Sequence, residues 1–233
     1  MTKDLTTGKP LKSIILFMLP IMIGNIFQQL YSMVDTIIVG QTISNQALAG
    51  VGVTNSMSLL IIGFVQGLTS GFSVKTSQCF GAHDEEGVKK SLAASLALST
   101  VISVILTFVA VYTTMPLLRL MSTPDDVIGY AYDYIVAVYW GLAATVFYNL
   151  GSAMLRAVGD SRTPLIFLVL AAVPNVGLDF LFILEFDMGV SGAGWANVLS
   201  YATLAGGCFA VTFAKCPLYS VSGTPFTQSP YMS

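Results

Sequence analysis

Charge is what this sequence has least of. Asp, Glu, Lys and Arg together make up 9% of its 233 residues, against roughly a quarter in soluble domains. The few charges are clustered, and residues 13–34, 36–74, 91–118, 134–155, 163–178 and 188–214 contain none. Hydrophobic residues reach 55%, and a helix needs about 20 mostly apolar residues to cross the hydrocarbon core of a bilayer. A soluble domain is excluded. A net charge of −2 with no basic patch excludes nucleic acid as a partner. Histidine occurs once, at His83, in a short polar segment from Phe80 to Glu86 that reads as a solvated loop and offers no catalytic setting. The three cysteines, Cys79, Cys208 and Cys216, have neither metal nor redox spacing, and an odd count frames no disulfide scaffold. No cofactor is implied, and the chain does not read as an enzyme.

What is present is a series of apolar segments. The N-terminal apolar run follows a basic flank but is too long for a signal-peptide core and has no small-residue cleavage site before Asp35, so it reads as a retained first span. Six spans fit, at 14–39, 48–74, 91–114, 129–152, 163–184 and 191–214. The gap 36–74 holds the end of one span, a turn and a whole second span. Lipid cannot satisfy backbone polar groups, so the spans must be helices. The expected fold is an all-α polytopic bundle in the lipid bilayer. With the N-terminus inside, Lys3, Lys9, Lys12, Lys75, Lys89, Lys90, Arg156, Arg162 and Lys215 fall in cytoplasmic segments and only Arg119 outside, the bias that basic residues impose on topology. Residues 1–13 form a cytoplasmic N-terminus and 14–215 the six-helix unit. The tail 216–233, uncharged and rich in Ser, Thr and Pro, reads as disordered or aberrant. Gly63, Gly67 and Gly71, then Ala93, Ala94 and Ala97, then Gly192 and Gly194, are read as close-packing positions. Pro20 and Pro174 fall inside spans, where each removes a backbone donor and kinks a helix.

Two of the rare charges sit inside spans. A carboxylate deep in a bilayer is costly, so Asp35 and Asp179 are functional candidates by default. Asp35 lies five residues before Gly40, at the outer end of the first span; Asp179 lies six before Glu185, and Asn197 six after Ser191. At 1.5 Å per residue all three share a layer roughly 8–10 Å below the outer surface. Asn175 is one turn from Asp179 on the same face, and Tyr134 enters the fourth span at similar depth. Deprotonated, such a cluster offers hard oxygen ligands to a small cation such as Na⁺. Protonated, it is neutral, and two neighbouring carboxyls titrate as one unit. The alternative is that the acids only bond helices together, or that Asp35 sits at the membrane interface. Gln28, Tyr31 and Asn55 are weaker candidates for lining a substrate cavity.

These segments, in this order, resemble the N-terminal half of a multidrug and toxic compound extrusion (MATE) transporter. The resemblance rests on Pro20 with QQLYSMVDTIIVG from Gln28 to Gly40, then Leu48-Ala49-Gly50 and the loop Phe80-Gly81-Ala82-His83-Asp84. It continues with LRAVGDSRTP from Leu155 to Pro164, Asn175-Val176-Gly177-Leu178-Asp179 after Pro174, and Gly192 to Asn197. It implies one lobe of a twelve-helix fold built from two six-helix lobes. It further implies a cation site at Asp35, Asn175 and Asp179, where the coupling ion is H⁺ or Na⁺, with Tyr134 and Asn149 as supporting groups. Asn197 takes a position that is Thr in some relatives. Pro20 matches a helix-one proline proposed to bend that helix when the site is protonated.

The function this implies is a cation-coupled multidrug antiporter exporting small organic, often cationic, compounds across a bacterial cell membrane. No second lobe follows the sixth span, so the chain reads as a truncated fragment, or as a lobe needing a partner lobe or a homodimer. A lipid-precursor flippase would call for a cationic cavity, which the scarcity of Lys and Arg within spans opposes. An intramembrane aspartyl protease would need a Gly-x-Gly-Asp sequence, and Val176-Gly177-Leu178-Asp179 lacks the first glycine.

Overall fold

The computed structural model describes residues 10–215, so the segment 1–9 and the tail 216–233, with Cys216, lie outside the described residues. Seven helices follow in order: α1 (Pro10–Thr42), α2 (Asn45–Gly81), α3 (Glu85–Leu120), α4 (Asp125–Trp140), α5 (Leu142–Ala157), α6 (Arg162–Phe180) and α7 (Val190–Lys215). Helix α6 continues into a π-helical turn, Leu181–Glu185. No strand occurs among the described residues. α1 already covers 10–13, which the sequence assigns to the N-terminal segment.

Five of these helices are long and apolar enough to cross a membrane, and α4 with α5, bent by 51° at their junction, passes the same test as a pair and makes six if the two form one span. The sequence predicts one continuous span over 129–152, and here the structure differs. The break falls at Gly141, where a Cβ would collide with the side chain of Val198 on α7. α7 approaches closely enough to fill the space a side chain would need, so only glycine fits at the break. Pro20 and Pro174 behave differently, since α1 and α6 run through them unbroken.

The turns are fixed by local side-chain chemistry. Ser44 Oγ accepts from Ala47 N (3.1 Å) to start α2, and Asp84 Oδ1 accepts from Gly87 N (2.9 Å) to start α3. In the segment LRAVGDSRTP, Gly159 adopts φ +84°, which glycine tolerates freely. Asp160 then caps α6: its Oδ1 accepts from Arg162 N (3.1 Å) and Thr163 N (3.0 Å), and its Oδ2 from Thr163 Oγ1 (2.6 Å). Acceptors placed at a helix start satisfy backbone donors that have no partner inside the helix.

In the bundle α7 packs on α4, α5 and α6, α2 packs on α3, α4 and α5, and α1 leans on α2 and α6. At one end, Cys79 and Val88 from the α2–α3 turn join Leu150, Met154 and Val158 of the α5 end. This is the basic end, carrying Lys75, Lys89, Lys90, Arg156 and Arg162. At the opposite end Ile38, Val39, Ala47 and Val51 meet Ile183, Val190 and Ala193. Large apolar side chains such as Leu59, Tyr112 and Val173 point outward, as a lipid-facing surface requires.

The close-packing expectation is corrected in part. Gly192 and Gly194 are buried against neighbours, but Gly63, Gly67 and Gly71 have nothing within 4 Å of a built Cβ, and Ala93, Ala94 and Ala97 are exposed. The inward ridge of α3 is Ser95, Ser99, Ser103 and Thr107 instead. These side chains are nearly as small as alanine. Ser95 and Ser103 bond back to carbonyls of their own helix, which lets them be buried.

Candidate functional site

Asp35, Asn175, Asp179 and Asn197 are all buried in the half of the bundle away from the basic end, beside the cluster around Ile38 and Ile183. Asp35 is 2% exposed and Asp179 0%. Asp35 shares its face of α1 with buried Ile38 and Val39, three and four residues on, so helical periodicity turns all three inward. Asn175 and Asp179 are one turn apart on α6 and buried together.

Tyr134 of α4 and Asn197 of α7 both donate to Asp35 Oδ2, Tyr134 from Oη at 3.2 Å and Asn197 from Nδ2 at 2.8 Å. The Asp35 and Asp179 carboxyls are neighbours across the α1–α6 contact. Asp35 Oδ1, both oxygens of Asp179, and Asn175 Oδ1 and Nδ2 are buried with no hydrogen-bond partner. Four oxygens and one amide NH₂ group, from α1 and α6, are thus buried with their polar capacity unspent. Buried polar groups are nearly always paired, so such a cluster calls for a proton, a water or a cation.

Two turns along α1 from Asp35, about 10 Å away, Gln28 Nε2 donates to Tyr201 Oη at 3.1 Å. Tyr201 lies one turn beyond Asn197 on α7. Helices α1 and α7 are therefore joined by two polar rungs, Asp35 with Asn197 and Gln28 with Tyr201. Gln28 also lines a cavity of about 230 Å³ that reaches toward the basic end between α1, α2, α5 and α6, with Pro20, Asn149, Ser152 and Arg156 on its wall.

Of the residues proposed from sequence, Asp35, Asp179, Asn175, Asn197 and Tyr134 come together. Asn149 does not join them: it lines the cavity, and its Nδ2 donates to Thr145 O (2.8 Å). Gln28 and Pro20 line the same cavity. Asn55 is exposed on α2 and lines no part of it. The side chain of Tyr31 lies outside the described residues. Sequence reasoning missed Tyr201 and the inward aim of Arg156. The available signal for Tyr201 was its place four residues after Asn197, on the same helix face.

Residues 20–181 match the MatE family. This chain belongs to the MATE family. Among its curated relatives is Probable multidrug resistance protein YpnP of Bacillus subtilis (strain 168), 34% identical over 84% of this chain and 44% of the relative. Another is Probable multidrug resistance protein YoeA of the same organism, 30% identical over 81% of this chain and 42% of the relative. A crystal structure of MATE in the bent conformation superposes with a TM-score of 0.83 at 30% identity, covering 93% of this chain and 50% of that one. The chain thus spans about half the length of the relatives it matches. MATE proteins are multi-pass membrane transporters, which fits the six apolar spans here, and the fold is that of one half of such a transporter.

Proposed function

We propose that the chain is one six-helix lobe of a multidrug exporter of the cell membrane. In this reading, inward movement of H⁺ or Na⁺ through Asp35 and Asp179 drives outward movement of small organic compounds. The N-terminus and the basic end face the cytoplasm, as the distribution of Lys and Arg favours. A second six-helix unit, from further chain or a second copy, walls the other side of the path.

The observation that carries this reading is the set of unpartnered polar atoms on Asp35, Asn175 and Asp179. Either coupling ion suits them. A proton on one carboxyl creates the donor that the neighbouring pair lacks, and a Na⁺ ion finds carboxylate and amide oxygens of the hard type it prefers. Binding neutralises charge in a low-dielectric setting, so it alters how firmly α1 is tied to α6. A membrane potential contributes about 2.3 kcal/mol per charge per 100 mV to that step.

The test uses the chain joined to a second lobe that supports export. Asp35→Asn and Asp179→Asn should each bring gradient-driven export to background while membrane insertion stays unchanged, since the amide keeps the size of the acid but cannot exchange a charge. Imposing a pH gradient in Na⁺-free medium, then a Na⁺ gradient at constant pH, separates the two ions. Wild-type export in both variants would sink the proposal.

A further inference from the structure

We propose that the polar cavity at the basic end is an anion subsite, in which Arg156 takes the carboxylate or phosphate of an organic ligand. This rests on the reading of the chain as an exporter lobe and names the ligand chemistry that its cavity selects.

The cavity wall contains Asn25, Gln28, Gln66, Ser152, Arg156 and Ser161 among its polar groups, and no Asp or Glu. Its one formal charge is the guanidinium. Among the described residues the only ion pair is Lys90 with Glu86, so Arg156 has no counter-ion there. Asp160, the nearest acid in sequence, has both oxygens engaged by the first turn of α6. An arginine in the last turn of a helix complements the carbonyl ends, which accounts for a base at this position but not for its aim. A snorkelling arginine would extend toward the water at the basic end. Arg156 instead donates from Nη1 to Ser152 Oγ at 2.6 Å, one turn deeper along α5. Its planar fork has five N–H donors and matches carboxylate or phosphate two bonds at a time. Serine takes one of the five. A cationic ligand would meet like charge here and find no carboxylate. The expectation that this lobe favours cations therefore does not extend to this cavity.

The test measures binding to the 233-residue chain in nanodiscs of zwitterionic lipid by fluorescence polarisation. The probes are 7-methoxycoumarin-4-acetate and its neutral amide, which differ at one group. The acetate should bind about tenfold more tightly than the amide. Arg156→Gln should lower the acetate to the level of the amide and leave the amide within about twofold of its wild-type affinity, which also reports an intact cavity. Arg156→Lys should retain part of the preference. Adding phosphatidylglycerol distinguishes the source of the anion: displacement of the acetate supports a lipid-headgroup site, and undisturbed binding supports a solute site. Equal binding of both probes to the wild type would overturn the proposal, as would a preference that survives Arg156→Gln. So would loss of the preference once a second lobe is joined, which would mean that the lobe brings its own acid to Arg156. Export provides an independent readout. If Asp35→Asn and Asp179→Asn keep full export while the acetate preference persists, the coupling reading fails and the anion subsite stands.

Discussion

Asp35 holds two donors on a single oxygen, and they are not equal. Asn197 reaches Oδ2 at 2.8 Å and Tyr134 at 3.2 Å. From sequence, Asn197 is the doubtful member because its position is Thr in some relatives, yet it makes the shorter bond. Removing a donor from a buried charged acceptor costs about 1–3 kcal/mol. Asn197→Ala should therefore lower the thermal unfolding midpoint of the detergent-solubilised chain more than Tyr134→Phe does. In an Asp35→Asn background the Asn197→Ala loss should shrink, because the acceptor no longer carries charge. If the Asn197→Ala loss is the same in both backgrounds, the contact contributes packing alone. Asn175→Ala removes two atoms that have no partner, so its effect should fall on cation binding and leave folding stability nearly unchanged.

At the level of elements, the bent α4–α5 span is the feature that periodicity could not foresee. At the bend Gly141 packs against α7, and a pair of substitutions across that contact tests the packing. Gly141→Ala places a methyl group where Val198 sits. Overpacking of this kind costs about 1–3 kcal/mol, read as a lower unfolding midpoint, and Val198→Ala should relieve most of it. Gly67→Ala on α2 is the contrasting case. A Cβ there meets nothing within 4 Å, and alanine favours the helix by about 0.5–1 kcal/mol, so the isolated chain should gain slightly. Should Gly67→Ala destabilise the chain and Gly141→Ala leave it unchanged, the packing assigned to these helices is wrong. The π turn Leu181–Glu185 begins two residues after Asp179, and such irregular turns often accompany functional side chains.

For the whole molecule, the acids and the cavity occupy opposite halves of one lobe, joined by the two rungs between α1 and α7. Which half faces the cytoplasm is a matter of topology, and the basic residues give the expected answer. With the native cysteines replaced, a cysteine at Asp125 should react with an impermeant maleimide in intact cells, and one at Ala82 only after permeabilisation. Both positions are exposed, so the contrast reports sidedness and not burial. Reversed labelling would put the acids in the cytoplasmic half and Arg156 in the outer one.

Much of this was legible in the sequence. Charge-free runs of the length a bilayer demands fixed the number of spans, because leaving a charge in hydrocarbon is costly. Depth counting alone put Asp35, Asp179 and Asn197 in one layer, since helical rise is constant, and a four-residue spacing put Asn175 beside Asp179. Those are one-dimensional constraints, and one-dimensional information suffices for them. Three things required the packed bundle. Asn149 is a polar group in a span like the others, but only the rotation of α5 sends it to the cavity and away from Asp35. At the bend, Gly141 leaves no room for a side chain because Val198 occupies the adjacent space, a contact between residues 57 positions apart. Arg156 belongs to the basic end by sequence, and its bond to Ser152 turns its charge inward. Each depends on which helix lies next to which, and apolar periodicity does not encode neighbours. The sequence determined the layers of this protein, and tertiary packing decided which polar groups within them meet.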